Sequence, residues 1–249
     1  MYLLIDSGNS RLKIACHDGH DWRLRQALDN ASQIPAALPA DFQPQRIVIA
    51  NVAGSAMSAQ LEHVIRSLNA PSIEWLRGSP ERCHLRSGYA DPRQLGPDRW
   101  AAAIGAWQCI GSDCLVVCAG TATTVDVVRQ PGIFAGGCIL PGLDLMLDAL
   151  STRTAALPRA QPGLPPASLQ SPPTETHAAI TAGCLHAQLG AIERISAMLP
   201  TDSPILLAGG YAATLASFLG SRAQLQPWLV MDGLLAIARD YPQNAAAHS

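Results

Sequence analysis

Two stretches of this sequence combine residue types that handle phosphates and protons. The first is Asp6-Ser7-Gly8-Asn9-Ser10, which follows the apolar run Tyr2-Leu3-Leu4-Ile5. A carboxylate at a strand end can hold a hydrated Mg²⁺, a glycine lets the backbone come close to oxygen atoms, and Asn9 or Ser10 can donate to a phosphate. The same residues also suit an ordinary tight hairpin, so this motif alone does not choose. The second stretch runs from Tyr89 to Trp100 through Gly96-Pro97-Asp98-Arg99. Proline suits a first helical turn and a carboxylate suits its positive end, so Pro97 and Asp98 open a predicted helix through about Gln108. At that helix start Asp98 can serve as a general base, and Arg99 can hold an anionic group of an acceptor or a transferring phosphoryl group. The helix dipole favours the ionised carboxylate, so Asp98 would act by orienting a hydroxyl as much as by basicity. The plainer reading is a helix-end carboxylate beside a surface arginine.

A repeat changes the balance for the first stretch. Arg11 to Cys16 alternates as a half-buried strand does, so Tyr2 to Cys16 reads as strand, turn, strand. Cys114-Leu115-Val116-Val117-Cys118, the turn Ala119-Gly120-Thr121-Ala122 and the β-branched run Thr123 to Val128 repeat that unit. Setting Gly120 on Gly8 sets Cys118 on Asp6 and Thr121 on Asn9, an offset of 112 residues in a chain of 249. Two such hairpins, with Ala208-Gly209-Gly210 late in the chain, form the pattern of the actin/Hsp70/sugar-kinase superfold. That α/β, ribonuclease H-like architecture duplicates one domain and binds phosphates in a cleft between the copies. The expected domains are residues 1–112 and 113–249, with the last helix packing back on the first.

The remaining elements follow from periodicity and punctuation. Strands are predicted at Arg46–Ala50, Ile133–Leu140 and Ile205–Ala208. Helices are predicted from Ser55 to Leu68 with Ser55 as cap, from Leu143 to about Leu150, from a Thr174 or Thr176 cap to Met198, from the turn Gly209-Gly210-Tyr211 to about Leu219, and from Met231 to Ala238. Six prolines between Pro158 and Pro173 predict a loop or flap, and the tail Asn244–Ser249 is expected to fray.

Composition excludes several function classes. Seventeen basic against 19 acidic side chains give a net charge of −2, without the clustered basic excess of a nucleic-acid binder. Apolar residues make up 48% of the chain and charged ones 14%, enough for a large core. No run approaches the ~18–20 apolar residues of a membrane span, and Asp6 interrupts the first apolar stretch, so a cytoplasmic protein is expected. The seven cysteines lack CxxC spacing and read as reduced core residues; His84 beside Cys83, and His186 near Cys184, lack a third ligand at metal spacing. Trp100 and Trp107 fall at core spacing on one helix. Asp144 and Asp148 share a helix face read as exposed, His177 reads as polar filler, and Asp126 either reaches a metal through water or satisfies backbone donors. Lys13, the one lysine beside 16 arginines, has no Walker A context.

Six segments together resemble the type III pantothenate kinases, a family that includes proteins first described as Bvg accessory factors. They are Asp6–Ser10, Gly96–Trp100, Gly120–Asp126, Gly136–Gly142, Thr154–Pro158 and Ala208–Gly210, in register from Asp6 to about Gly233. The resemblance implies ATP-dependent phosphorylation of pantothenate's primary hydroxyl, the first committed step of coenzyme A synthesis. It implies ATP-phosphate contacts at Asp6, Ser7, Gly8, Asn9, Ser10, Arg11, Leu12 and Lys13 and at Thr121, with Mg²⁺ near Asp6 through water. It implies a pantothenate site at Tyr89, Gly96, Pro97, Asp98, Arg99 and Thr176, with Asp98 the proton acceptor. It further implies a homodimer and a requirement for K⁺ or NH₄⁺.

The chain departs from the family pattern at Cys118, where the second hairpin usually begins with an aspartate associated with the monovalent cation. A thiol is a poor ligand for a hard cation. Either backbone carbonyls hold K⁺, or the dependence on it is lost, or activity is impaired; retained activity is expected, since Asp6, Asp98, Arg99 and Thr121 are present. The alternatives are a kinase of the superfold acting on another small hydroxyl substrate, and a non-catalytic regulatory homologue.

Overall fold

A computed structural model describes residues 1–162, 169 and 171–240. Those residues group into two compact units: Met1–Cys109 with the chain from Trp228 on, and Ile110–Pro227. Residues 163–168 and 170 of the expected proline-rich loop, and the expected frayed tail, lie outside the described residues.

The first unit is built on β1 (Tyr2–Ser7), β2 (Leu12–His17), β3 (Trp22–Leu28), a short α1 (Ile34–Ala37), β4 (Arg46–Asn51), α2 (Gly54–Arg66) and β5 (Ser72–Trp75). Its sheet has the order β3-β2-β1-β4-β5. The first three strands are antiparallel neighbours, and β1, β4 and β5 run parallel. Leu3, Ile5, Leu12, Ile14, Ile47 and Ile49 point to one face, where they bury Leu61 and Ile65 of α2. Each such side chain is worth roughly 1.5–3 kcal/mol of burial, which fixes the register and with it the position of every polar residue at the strand ends. Ser55 does not cap α2. Asn51 fastens that corner instead, accepting from the Ala53 N–H at 3.0 Å and donating to Ser58 Oγ at 2.8 Å.

A small hairpin, β6 (Glu81–Arg82) and β7 (Leu85–Ser87), precedes α3 (Pro97–Ile110). In the second unit come β8 (Cys114–Ala119), β9 (Ala122–Arg129), β10 (Ile133–Pro141), α4 (Leu143–Arg153), α5 (Thr176–Ser196), β11 (Ile205–Ala208), α6 (Ala212–Leu219) and β12 (Ala223–Leu225). The chain ends its described course as α7 (Leu229–Arg239), which lies against β1 and β4. Within the second unit the order is β10-β9-β8-β11-β12, with the first three antiparallel and the last three parallel. Strand for strand this repeats the sheet of the first unit. Neither Thr174 nor Thr176 caps α5; its N-cap is Glu175, which makes no side-chain cap bond.

The offset of 112 holds along the first strand of each hairpin and slips by one on the return. Asp6 faces Lys13, but Cys118 faces Thr124 rather than Val125. The second turn is one residue shorter: the Gly8 N–H bonds Arg11 O at 3.1 Å, whereas the Gly120 N–H bonds Ala122 O at 3.0 Å.

The packing of α3 on α7 is set by two glycines. A Cβ on Gly105 would lie 2.4 Å from Leu229 O, and one on Gly233 would lie 1.8 Å from Ala101 O. The two backbones touch there, so neither helix can turn or slide without a clash.

Candidate active site

The first unit gathers most of the residues singled out in the sequence. Asp6 ends β1, with Lys13 directly opposite on β2, and Asp98 stands in the first turn of α3. Burial pushes the Asp6 carboxyl up to about 6; Lys13 opposes the rise and the negative charge of Asp98 adds to it. Asp6 and Asp98, 92 residues apart in the chain, are thus within electrostatic reach of each other. Asp98 Oδ1 accepts the Arg99 N–H at 2.8 Å, which fixes the carboxylate plane. Gly96 makes room for it, since a Cβ there would lie 2.9 Å from that same oxygen.

Arg99 is buried, 6% exposed, and its guanidinium donates to the Tyr89 hydroxyl at 2.9 Å, with the Tyr89 ring 5.9 Å away. The plainer reading of Arg99 as a surface arginine does not hold: it is a braced cation inside the fold. Tyr89 is itself held by its N–H, which donates to Ser87 Oγ at 3.2 Å at the end of β7. In the turn after β1, Gly8 closes on Arg11 and leaves Asn9, Ser10 and Arg11 exposed. Ser7 and Leu12 are fully or almost fully buried, so their side chains serve the fold and only their backbone can meet a ligand. Pro97 occupies the first position of α3.

In the second unit Thr121 is exposed on its turn, and Gly142 packs so tightly beneath it that a Cβ would lie 2.1 Å from Gly120 O. Gly209, at φ +98°, presses on Ala119, where a Cβ would be 2.3 Å from the carbonyl oxygen; only glycine fits. Thr176 is exposed at the start of α5. Cys118 is half-buried near the end of β8. Asp126 is buried in mid-strand and faces Gly137, which has no room for a side chain beside it.

Several polar residues fall in places the spacing did not foretell. Tyr211, after the Gly209-Gly210 turn, is pushed up to about 12 by burial and by its hydrogen bond to Asp144, which ties the start of α6 to α4. Arg159 Nε pairs with Asp148 at 2.5 Å, so the two α4 carboxylates are partnered rather than merely exposed. Trp228, just before α7, has its ring centroid 6.0 Å from Lys13 Nζ. Cys109 is exposed on the last turn of α3, unlike the core cysteines, and no cluster of three metal-binding side chains occurs among the described residues. No helix among them is long and apolar enough to cross a membrane.

The raised pKa of Asp6 makes stability pH-dependent. An acid harder to ionise in the fold than in the unfolded chain adds stability that is complete below about pH 4 and is lost as the pH rises through about 6. The loss amounts to roughly 2–3 kcal/mol, because each tenfold change in an ionisation constant is worth about 1.36 kcal/mol. In thermal melts of the ligand-free protein in a chelator, wild type should fall relative to Asp6→Asn between pH 4 and 7. Parallel curves would show that Asp6 ionises as freely in the fold as outside it.

Comparison with known proteins gives one consistent family. Residues 2–198 match the family model described as type III pantothenate kinase. A protein of Aromatoleum aromaticum named type III pantothenate kinase is 43% identical over 248 residues, covering 96% of this chain and 98% of its own length. One of Nitrosospira multiformis with the same name is 36% identical over 252 residues, covering 99% and 94%. Among solved structures, the activator of the 2-hydroxyisocaproyl-CoA dehydratase from Clostridium difficile superposes with a TM-score of 0.55 at 11% identity, over 96% of this chain and 95% of that one. Component A of the (R)-2-hydroxyglutaryl-CoA dehydratase from Acidaminococcus fermentans gives 0.54 at 14% identity, over 95% of each chain. These two likenesses show the fold, the actin-like and sugar-kinase-like α/β architecture.

Proposed function

The chain belongs to the type III pantothenate kinase family, and on that premise we propose that it transfers the γ-phosphoryl group of ATP to the primary hydroxyl of pantothenate. The product, 4′-phosphopantothenate, opens coenzyme A synthesis, and the enzyme works in the cytoplasm. The observation that carries the assignment of roles is the pairing of Asp98 with Asp6: one carboxylate stands at a helix start, within electrostatic reach of another at the head of a phosphate-type turn.

Asp98, oriented by the Arg99 N–H, takes up the pantothenate hydroxyl and receives its proton. Arg99 offers its braced charge to the substrate carboxylate, with Tyr89, Gly96 and Pro97 shaping that site, and Thr176 is the further pantothenate contact that the family resemblance implies. The turn from Asp6 to Lys13 and Thr121 meet the ATP phosphates and hold the γ-phosphoryl in line. Asp6 fits a divalent ion in its donor chemistry: it is a hard oxygen donor whose charge is disfavoured first by burial, and Lys13 opposes that only in part. When bound with ATP, Mg²⁺ neutralises the β- and γ-phosphates, and Asp6 would hold it through water.

Cys118 does not fit a hard monovalent cation, whose preferred ligands are oxygens. Turnover is therefore expected to persist in buffers free of K⁺ and NH₄⁺, as initial rates would show. A strict requirement would mean that other ligands hold the cation. We also place the enzyme as a homodimer; Ile139 and Leu145, 62% and 45% exposed, supply apolar surface of the kind a second copy could cover. The acceptor is tested by ADP release with pantothenate against a panel of hexoses. Release with pantothenate alone supports the reading, and release with a hexose would reassign the acceptor while leaving the ATP site in place.

A further inference from the structure

We infer that Trp228 is a positioning residue for Lys13, holding its ammonium group toward the ATP phosphates. The inference deepens the reading above and rests on Lys13 being a phosphate ligand. Lys13 lies on the same face of the sheet as Asp6, its cross-strand partner. A lysine side chain has four rotatable carbon–carbon links in its stem, so a flexible ammonium needs a second support to stay aimed. Trp228 provides one: its ring centroid is 6.0 Å from Nζ, within the range over which an aromatic face attracts a cation. Lys13 thus stands between a carboxylate and an aromatic ring, and both are half-buried platforms.

The ring is held in place by the helix it precedes. Trp228 O accepts the Asp232 N–H at 3.0 Å, so the residue is fastened into the first turn of α7. That turn in turn meets α3 backbone to backbone, through Leu229 O against Gly105 and Gly233 against Ala101. The same contact fixes α3, which carries Asp98 in its first turn. One glycine crossing therefore sets both the residue assigned to the acceptor hydroxyl and the ring that steadies the lysine assigned to the donor phosphates. Tryptophan also presents the strongest aromatic face for a cation, so phenylalanine should substitute partly and an aliphatic side chain poorly.

Steady-state kinetics of Lys13→Met, Trp228→Leu, Trp228→Phe and the double variant Lys13→Met/Trp228→Leu test this. Trp228→Leu should raise KM for ATP about five-fold, leave KM for pantothenate near wild type, and be rescued to within about two-fold by Trp228→Phe. In the Lys13→Met background, Trp228→Leu should add nothing further. If Lys13→Met leaves KM for ATP unchanged, the phosphate role of Lys13 fails and the inference falls with it. If Lys13→Met raises KM for ATP while Trp228→Leu has no effect, or multiplies with it, the lysine reading stands and the role of Trp228 is overturned. A packing role alone would move kcat and KM for pantothenate together, because α3 would shift; that pattern also counts against the inference. Should Trp228→Leu not fold, Trp228→Met, which keeps bulk without a ring, takes its place with the same expectations.

Discussion

Asp98→Asn is expected to lower kcat by roughly 10²–10⁴ while leaving the affinity for ATP largely intact, the range over which a positioned general base contributes. The substitution keeps the shape of the side chain, and its amide oxygen can still accept the Arg99 N–H that now holds Oδ1 at 2.8 Å. What it loses is the capacity to take a proton and the charge that orients a hydroxyl. Because the amide keeps the Arg99 N–H hydrogen bond in the first turn of α3, most of the lost rate should come from misplaced hydroxyl and proton rather than from a change in folding. One secondary effect follows from electrostatics: Asp98 raises Asp6, so its neutralisation should let Asp6 ionise at lower pH. Single-turnover rates with ATP binding measured separately would check the split. An unchanged kcat would remove Asp98 from the mechanism.

Gly233→Ala should destabilise the first unit severely and reduce turnover with it. In a helix interior, glycine to alanine is ordinarily favourable by about 1 kcal/mol. Here the added carbon would lie 1.8 Å from Ala101 O and 2.6 Å from Ala101 C, and both atoms belong to a helix backbone that cannot swing aside. Overpacking against side chains alone costs roughly 1–3 kcal/mol, and a rigid backbone neighbour places this site at or beyond the upper end. At roughly 2–4 °C per kcal/mol for a chain of this size, the melting midpoint should fall by about 5–10 °C. Any relief requires α3 to move away from α7, and that displaces Asp98 three residues before Ala101 as well as Trp228 five residues before Gly233. A melting temperature equal to or above that of wild type would mean that the crossing is looser than its geometry states.

Much of this was legible in the sequence where the signal is local. The hairpin strands announce themselves through β-branched and apolar runs, and Pro97-Asp98 marks a helix start because both residues suit the first turn. The repeat was legible as an offset, and the matching strand order of the two sheets gives it a structural counterpart. The one-residue slip was not, because residue spacing locates a turn without stating how the returning strand is paired. β3 leaves no such signal because it is an edge strand with Arg23 and Arg25 on it and little burial, so no alternation survives. The caps at Ser55 and Thr176 failed for a related reason. Ser and Thr are favoured at such ends, but in one case Asn51 reaches across the corner, and in the other α5 starts from an extended Glu175 without a side-chain cap.

The site was legible as residue types and illegible as partnerships. Arg99 could be read from its type as an anion-holding cation or as a plain surface arginine, but its burial against Tyr89, ten residues earlier on a different segment, could not be read there. Lys13 had no Walker A context and drew its phosphate role from the family resemblance alone; the register that sets it opposite Asp6, and the return of the chain at Trp228, give it neighbours. The places of Asp98 and Trp228 depend on Gly105 and Gly233, 128 residues apart, meeting at one crossing. No local pattern in either helix shows that they meet.

The most direct test of the central claim is product identification. The purified chain is incubated with Mg-ATP and pantothenate, with K⁺ and without it, and the products are resolved by mass spectrometry. The predicted result is 4′-phosphopantothenate formed in step with ADP under both conditions and formed roughly 10²–10⁴-fold more slowly by Asp98→Asn. ADP without phosphopantothenate, or no product at any K⁺ or NH₄⁺ concentration, would contradict it.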